Sequence, residues 1–68
     1  MKNLYLILDI TPEATPEEVR KAYRRLAKRY YPDCGEGDAD RFREIRDAYE
    51  ILADPQKRRA YNREIHVP

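Results

Sequence analysis

Thr15-Pro16-Glu17-Glu18-Val19-Arg20-Lys21-Ala22-Tyr23-Arg24-Arg25-Leu26-Ala27-Lys28-Arg29-Tyr30 is the stretch that decides the fold. It opens as a capping box: Thr15 supplies a hydroxyl N-cap, Pro16 sits at N1, and Glu18 at N3 reaches back. Glu17 and Glu18 also suit the positive end of a helix dipole. At 100° per residue, Val19, Ala22, Tyr23, Leu26, Ala27 and Tyr30 fall within one arc of about 140°. Arg20, Lys21, Arg24, Arg25, Lys28 and Arg29 fill the rest of the circumference. The pattern predicts an amphipathic helix over residues 16–30, stopped by Pro32.

Working outward, Asp38 reads as an N-cap after the Gly35-Glu36-Gly37 turn. Phe42, Ile45, Tyr49 and Leu52, with Ala48 beside them, make one face of a helix expected over 39–53; Ile51 lies off that stripe. Asp54-Pro55 is a second cap and N1 pair, opening a helix over 55–64 with Lys57, Arg58, Arg59 and Arg63 exposed. Before the capping box, the apolar segment 4–10 is a short helix ended by Pro12. It is too short to stand alone and must lean on something larger. Two amphipathic helices joined by a short loop pair antiparallel to bury their stripes. The expected fold is all-α: a hairpin of 16–30 and 39–53, flanked by the short helices 4–10 and 55–64. Tyr23, Leu26, Phe42, Ile45 and Tyr49 interlock in it.

At 68 residues the chain is one domain, drawn as 1–65 with a tail at 66–68. So small a fold cannot both build a core and enclose a deep substrate cavity. Cys34 is the single cysteine, which rules out an internal disulfide and a cysteine zinc site. It fits a reducing compartment. The longest apolar run, Leu4 to Leu8, falls far short of a membrane span. No signal peptide is visible, and the expected location is cytoplasmic. No nucleophile–base pair or carboxylate dyad stands out, so neither an active site nor a cofactor or metal is expected.

The net charge of +1 conceals a strong asymmetry. Residues 20–29 hold six basic and no acidic groups, while the other 58 hold eight basic and thirteen acidic, a local +6 against −5. Like charges at i,i+4, as in Arg20–Arg24 and Arg24–Lys28, each cost roughly 0.2–0.5 kcal/mol. The bland reading is a solvated face whose long stems cover the core edge. The absence of any interspersed acid tilts the balance to a face for an acidic partner.

Leu4-Tyr5-Leu6-Ile7-Leu8, the block 15–27 quoted above, Tyr30-Tyr31-Pro32-Asp33, Phe42-Arg43-Glu44-Ile45, Ala48-Tyr49-Glu50-Ile51-Leu52 and Asp54-Pro55-Gln56-Lys57-Arg58-Arg59-Ala60-Tyr61 stand in the order of another known sequence. Together they resemble the J domain of DnaJ-type co-chaperones over nearly the whole chain. The resemblance implies a four-helix fold and a binding module, not an enzyme. J domains dock on DnaK-type heat-shock chaperones through a basic second helix and stimulate their ATP hydrolysis. Arg20, Arg24 and Arg25 match docking positions of the family, Tyr23 matches another, and Lys28 belongs to the same basic face.

The loop after that helix reads His-Pro-Asp in the family and Tyr31-Pro32-Asp33 here. Pro32 still shapes the turn, and Asp33 still offers a carboxylate to a cation on the partner. Tyr31 carries one hydroxyl, set farther from the backbone than the two nitrogens of imidazole. Stimulation is therefore expected to be weak, with docking less affected; the alternative is an interaction module that binds without stimulating the ATPase. The stretch from Asp33 to Phe42 is shorter than in most members, and Asn62 and Ile65 stand where the family often has aspartate and glycine.

Blander readings fit the remaining candidates. Cys34 is an ordinary loop thiol, and His66 lies in a terminal tail. Tyr5, Tyr30, Tyr49 and Tyr61 are core-edge packing and not a stacking platform for bases. Nucleic acid is not an expected partner, because the basic helix face carries no Asn or Gln for base readout. The expected state is a monomer.

Overall fold

In the computed structural model, residues 3–31 and 38–65 are described. They form four helices and, among the described residues, no strand: α1 (Leu4–Ile7), α2 (Pro16–Tyr30), α3 (Ala39–Leu52) and α4 (Pro55–Glu64). The all-α, four-helix expectation holds, with α2 packed along α3, and α1 and α4 each packed against α3.

Three of the starts follow the sequence. The Thr15 hydroxyl accepts the Glu18 N–H at 3.1 Å, and the Glu18 carboxylate accepts the Thr15 N–H at 3.0 Å. The Thr15 backbone N–H first, then its hydroxyl, hold the Glu18 carboxyl below its ordinary pKa. Asp38 caps α3 through the Arg41 N–H, and Asp54 caps α4 through the N–H groups of Gln56 and Lys57. The fourth start was not anticipated: Asn3 Oδ1 accepts from the N–H groups of Tyr5 and Leu6.

The end of α1 corrects an expectation. It stops at Ile7 and not at residue 10, well before Pro12. Asp9 lies in the left-handed region at φ 57°. Its N–H donates to the Leu6 carbonyl at 3.1 Å, and the Ile10 N–H donates to the Tyr5 carbonyl at 2.9 Å. These two bonds form a Schellman motif, with aspartate at the position glycine usually holds. At the other boundary in question, α3 ends at Leu52, and Ala53 is its cap.

The hairpin buries Val19, Ala22, Ile45, Ala48 and Leu52. The four-residue α1 adds Tyr5, and its C-cap adds Leu8, exposed by only 1% and 0%. A helix too short to survive in water is thus held by its buried side chains. Leu26, Tyr23 and Tyr49 pack on the core from its edge and are half-buried, as is Phe42. The interlocking centre is therefore Ile45, with the other four expected members around its margin. Ile51, off the main stripe, also packs against the core.

Arg58 is a second correction, since it is not a freely exposed cation of α4. Its Nη2 donates to the carbonyls of Pro12 at 3.1 Å and Ala14 at 2.6 Å, and its Nε donates to the Tyr5 hydroxyl at 3.2 Å. The guanidinium also lies 5.5 Å from the centre of the Tyr5 ring. The Tyr5 hydroxyl donates to Asn62 Oδ1, and the Tyr61 hydroxyl accepts the Leu4 N–H at 2.9 Å. The connection from α1 to α2 has carbonyls with no helical partner, and one planar cation serves two of them. Arg58→Met should cost about 1.5–3 kcal/mol in urea unfolding. Arg58→Lys should recover little of it, because an ammonium does not reproduce the fork geometry. A loss under about 0.5 kcal/mol would show that the pin contributes nothing.

Candidate partner-binding face

The hydrophobic stripe of α2 points at α3, so its basic residues are turned away from the core. Arg20, Lys21, Arg24, Arg25, Lys28 and Arg29 are all exposed. Among the described residues, the side chains of Arg20, Arg24 and Arg25 make no hydrogen bond and no ion pair. No carboxylate of the described residues neutralises these three.

The face is not one sheet of charge. On the wheel, Arg20, Arg24 and Lys28 fall on the side of Tyr23 and Ala27. There Tyr23, Ala27, Lys28, Tyr31 and Phe42 line an open groove of about 450 Å³. Tyr23 stacks on Tyr49 with ring centres 4.1 Å apart and planes 17° from parallel. Its ring is thus packed on α3, and the same residue lines the groove. Lys21 and Arg25 lie on the opposite flank. They border a groove of about 400 Å³ beside the α1–α2 connection, where Asp9 and Glu18 also stand. Arg25 is therefore separated from Arg20, Tyr23 and Arg24 by the crest of the helix.

Tyr31 caps α2 with an extended backbone, φ −57° and ψ 133°. Its ring meets Phe42 edge to face, centres 5.4 Å apart at 89°, and stays 48% exposed. The Asp38 N–H donates to the Tyr30 carbonyl at 3.1 Å, which ties the start of α3 to the end of α2. The guanidinium groups of Arg29 and Arg41 lie 5.4 and 5.5 Å from the centre of the Tyr30 ring. Pro32, Asp33 and Cys34 fall outside the described residues, as does His66 in the tail. Ala27 and Phe42 were not among the expected site residues. Ala27 looked like stripe and Phe42 like core, yet both line the groove; the available signal was their place on the rim of the hydrophobic arc, next to the cations.

Among the described residues, no cluster of three His, Cys, Asp or Glu side chains is placed to hold a metal. Among the described residues, no helix is long and apolar enough to cross a membrane.

The DnaJ domain profile matches residues 3–62, most of the chain. The chain belongs to the DnaJ domain family. Its similarity to the "Chaperone protein DnaJ" of Finegoldia magna is 52% identity over 65 residues, 91% of this chain and 18% of that protein. With the protein of the same name from Carboxydothermus hydrogenoformans it is 47% over 69 residues, 97% and 18%. With that of Chlamydia trachomatis serovar D it is 53% over 62 residues, 87% and 16%. The chain spans less than a fifth of these relatives' length. The four helices are those of a J domain. In this DnaJ domain the second helix, α2, is the basic one, and Tyr31 stands at its end.

Proposed function

We propose that this DnaJ domain is a co-chaperone module and not an enzyme, docking on a DnaK-type chaperone through α2 and stimulating its ATP hydrolysis weakly. The observation that carries this reading is the row of exposed cations on α2, three of them unpaired, beside an aromatic groove that ends at Tyr31. Arg20, Arg24 and Lys28 attract an acidic surface, while Tyr23, Ala27 and Phe42 offer apolar area that becomes buried on contact. Pro32 and Asp33 complete the docking loop, and Arg25 adds charge from the other flank. The partner's own charge sets the on-rate, and the apolar groove limits the off-rate.

The weakness lies at Tyr31. Its ring is committed to Phe42, and its one hydroxyl stands beyond the reach of the two imidazole nitrogens it replaces. Single-turnover ATP hydrolysis by a DnaK-type chaperone should rise only modestly with the parent domain. With Tyr31→His it should rise roughly five- to tenfold further, the worth of one recovered hydrogen bond or slightly more. A variant no more stimulating than the parent would refute this account of the defect.

The second reading is docking without stimulation, and the Tyr31–Phe42 contact favours it to the extent that it locks the ring. Its signature is NMR shift changes confined to residues 20–29 on adding the chaperone, with no acceleration of ATP hydrolysis. Nucleic acid fits less well, given the local −5 outside residues 20–29. A cytoplasmic monomer is the setting in which we place this activity.

A further inference from the structure

A second group of cations lies on α4, which the chaperone-docking face does not use. Lys57, Arg59 and Arg63 are exposed, and among the described residues their side chains make no hydrogen bond or ion pair. Arg59 and Arg63, four apart, share one strip of the helix about 6 Å apart along its axis. Their repulsion is a cost that no contact within the described residues offsets. Arg59 borders a groove of about 290 Å³ formed with Pro16, Leu52, Ala53 and Pro55. Asn62 lines the same groove; its Oδ1 is taken by the Tyr5 hydroxyl, which leaves the donor end of the amide for a ligand. No carboxylate lines this groove, whereas Asp9 and Glu18 offset the cations in the groove beside Lys21 and Arg25.

We infer that the α4 groove docks an extended acidic segment of a partner protein, with two carboxylates two residues apart and an aliphatic side chain two residues before them. The polar side chains of the lining are Arg58, already engaged with backbone carbonyls, Arg59 and Asn62, and with no carboxylate among them they select a ligand rich in acceptors. Alternate side chains of an extended chain lie on one face, about 6.6–6.8 Å apart, close to the Arg59–Arg63 spacing. The wall of Pro16, Leu52, Ala53 and Pro55 receives the aliphatic side chain and disfavours a fully hydrated polyanion. Pro16 begins α2 and Tyr31 follows its end, so about 22 Å of helix separates this groove from the one at Phe42. The two sites are thus separate and open to simultaneous occupation.

The test is an NMR titration of the 68-residue chain with the end-blocked peptide Leu-Ser-Glu-Ser-Glu in low salt. Saturable shifts at Ala53, Arg59, Asn62 and Arg63, with a dissociation constant below about 1 mM, are expected. The double variant Arg59→Glu, Arg63→Glu should bind at least about fivefold more weakly, and Arg59→Gln should weaken binding without reversing charge. Arg24→Glu should bind like the parent, and a peptide with Leu replaced by Ser should bind severalfold less well. Shifts concentrated on residues 20–29, undiminished binding by both α4 variants, equal binding of a DNA oligonucleotide at the same residues, or no saturable shift by about 10 mM peptide would each overturn the inference.

Discussion

Ile45→Ala should lower the melting temperature by more than about 10 °C. Ile45 is 0% exposed at the centre of the α2–α3 hairpin, in the same core as Leu8, the C-cap of α1. Truncation removes its buried methyl and methylene groups and leaves a void that fixed helices only partly close, a cost of roughly 2–5 kcal/mol. A domain of this size has a stability toward the low end of about 5–15 kcal/mol, so a large share of it rests on one side chain. Leu26→Ala, at the half-buried margin, should cost clearly less. Circular dichroism melts at one heating rate separate the two. A fall of less than about 5 °C for Ile45→Ala, or a larger fall for Leu26→Ala, would place the core elsewhere.

The difference between these two leucine and isoleucine sites was not legible in the sequence. The wheel placed both on the inner stripe, and it was right about the stripe. Burial along a stripe depends on what covers it, and here that includes α1, whose four residues carry no periodicity to read. The starts of α2, α3 and α4 were legible because Thr15-Pro16, Asp38 and Asp54-Pro55 state their caps locally. The end of α1 was not, because aspartate in a left-handed conformation leaves no signature as strong as glycine does. Arg58 was misread for a related reason. A cation between Lys57 and Arg59 looks like part of an exposed run, and only the fold brings it to carbonyls some 44 residues away in the chain. The candidate site was legible in its charges, since six cations without an acid leave little choice of face. Its division into two flanks, and the parts of Ala27 and Phe42 in the groove, depend on where α3 and the α1–α2 connection lie against α2.

That division bears on how the chaperone is held. Arg24→Glu should weaken docking on a DnaK-type chaperone roughly 10- to 100-fold, read as the concentration giving half-maximal ATPase stimulation. Arg24 is exposed, makes no bond within the described residues, and sits between Arg20 and Lys28 one turn away on each side. Replacing it by glutamate removes two like-charge neighbours' repulsion, about 0.2–0.5 kcal/mol each, and substitutes attraction. Stability should therefore hold or rise slightly while docking falls, a combination that no packing defect produces. Arg25→Glu carries the same charge change on the flank away from Phe42, and should cost docking less if the aromatic groove is the seat of contact. A melt as damaged as that of Ile45→Ala would mean that Arg24 serves the fold. Equal losses from Arg24→Glu and Arg25→Glu would mean that the chaperone reads only the summed field of α2 and takes no account of the groove beside it.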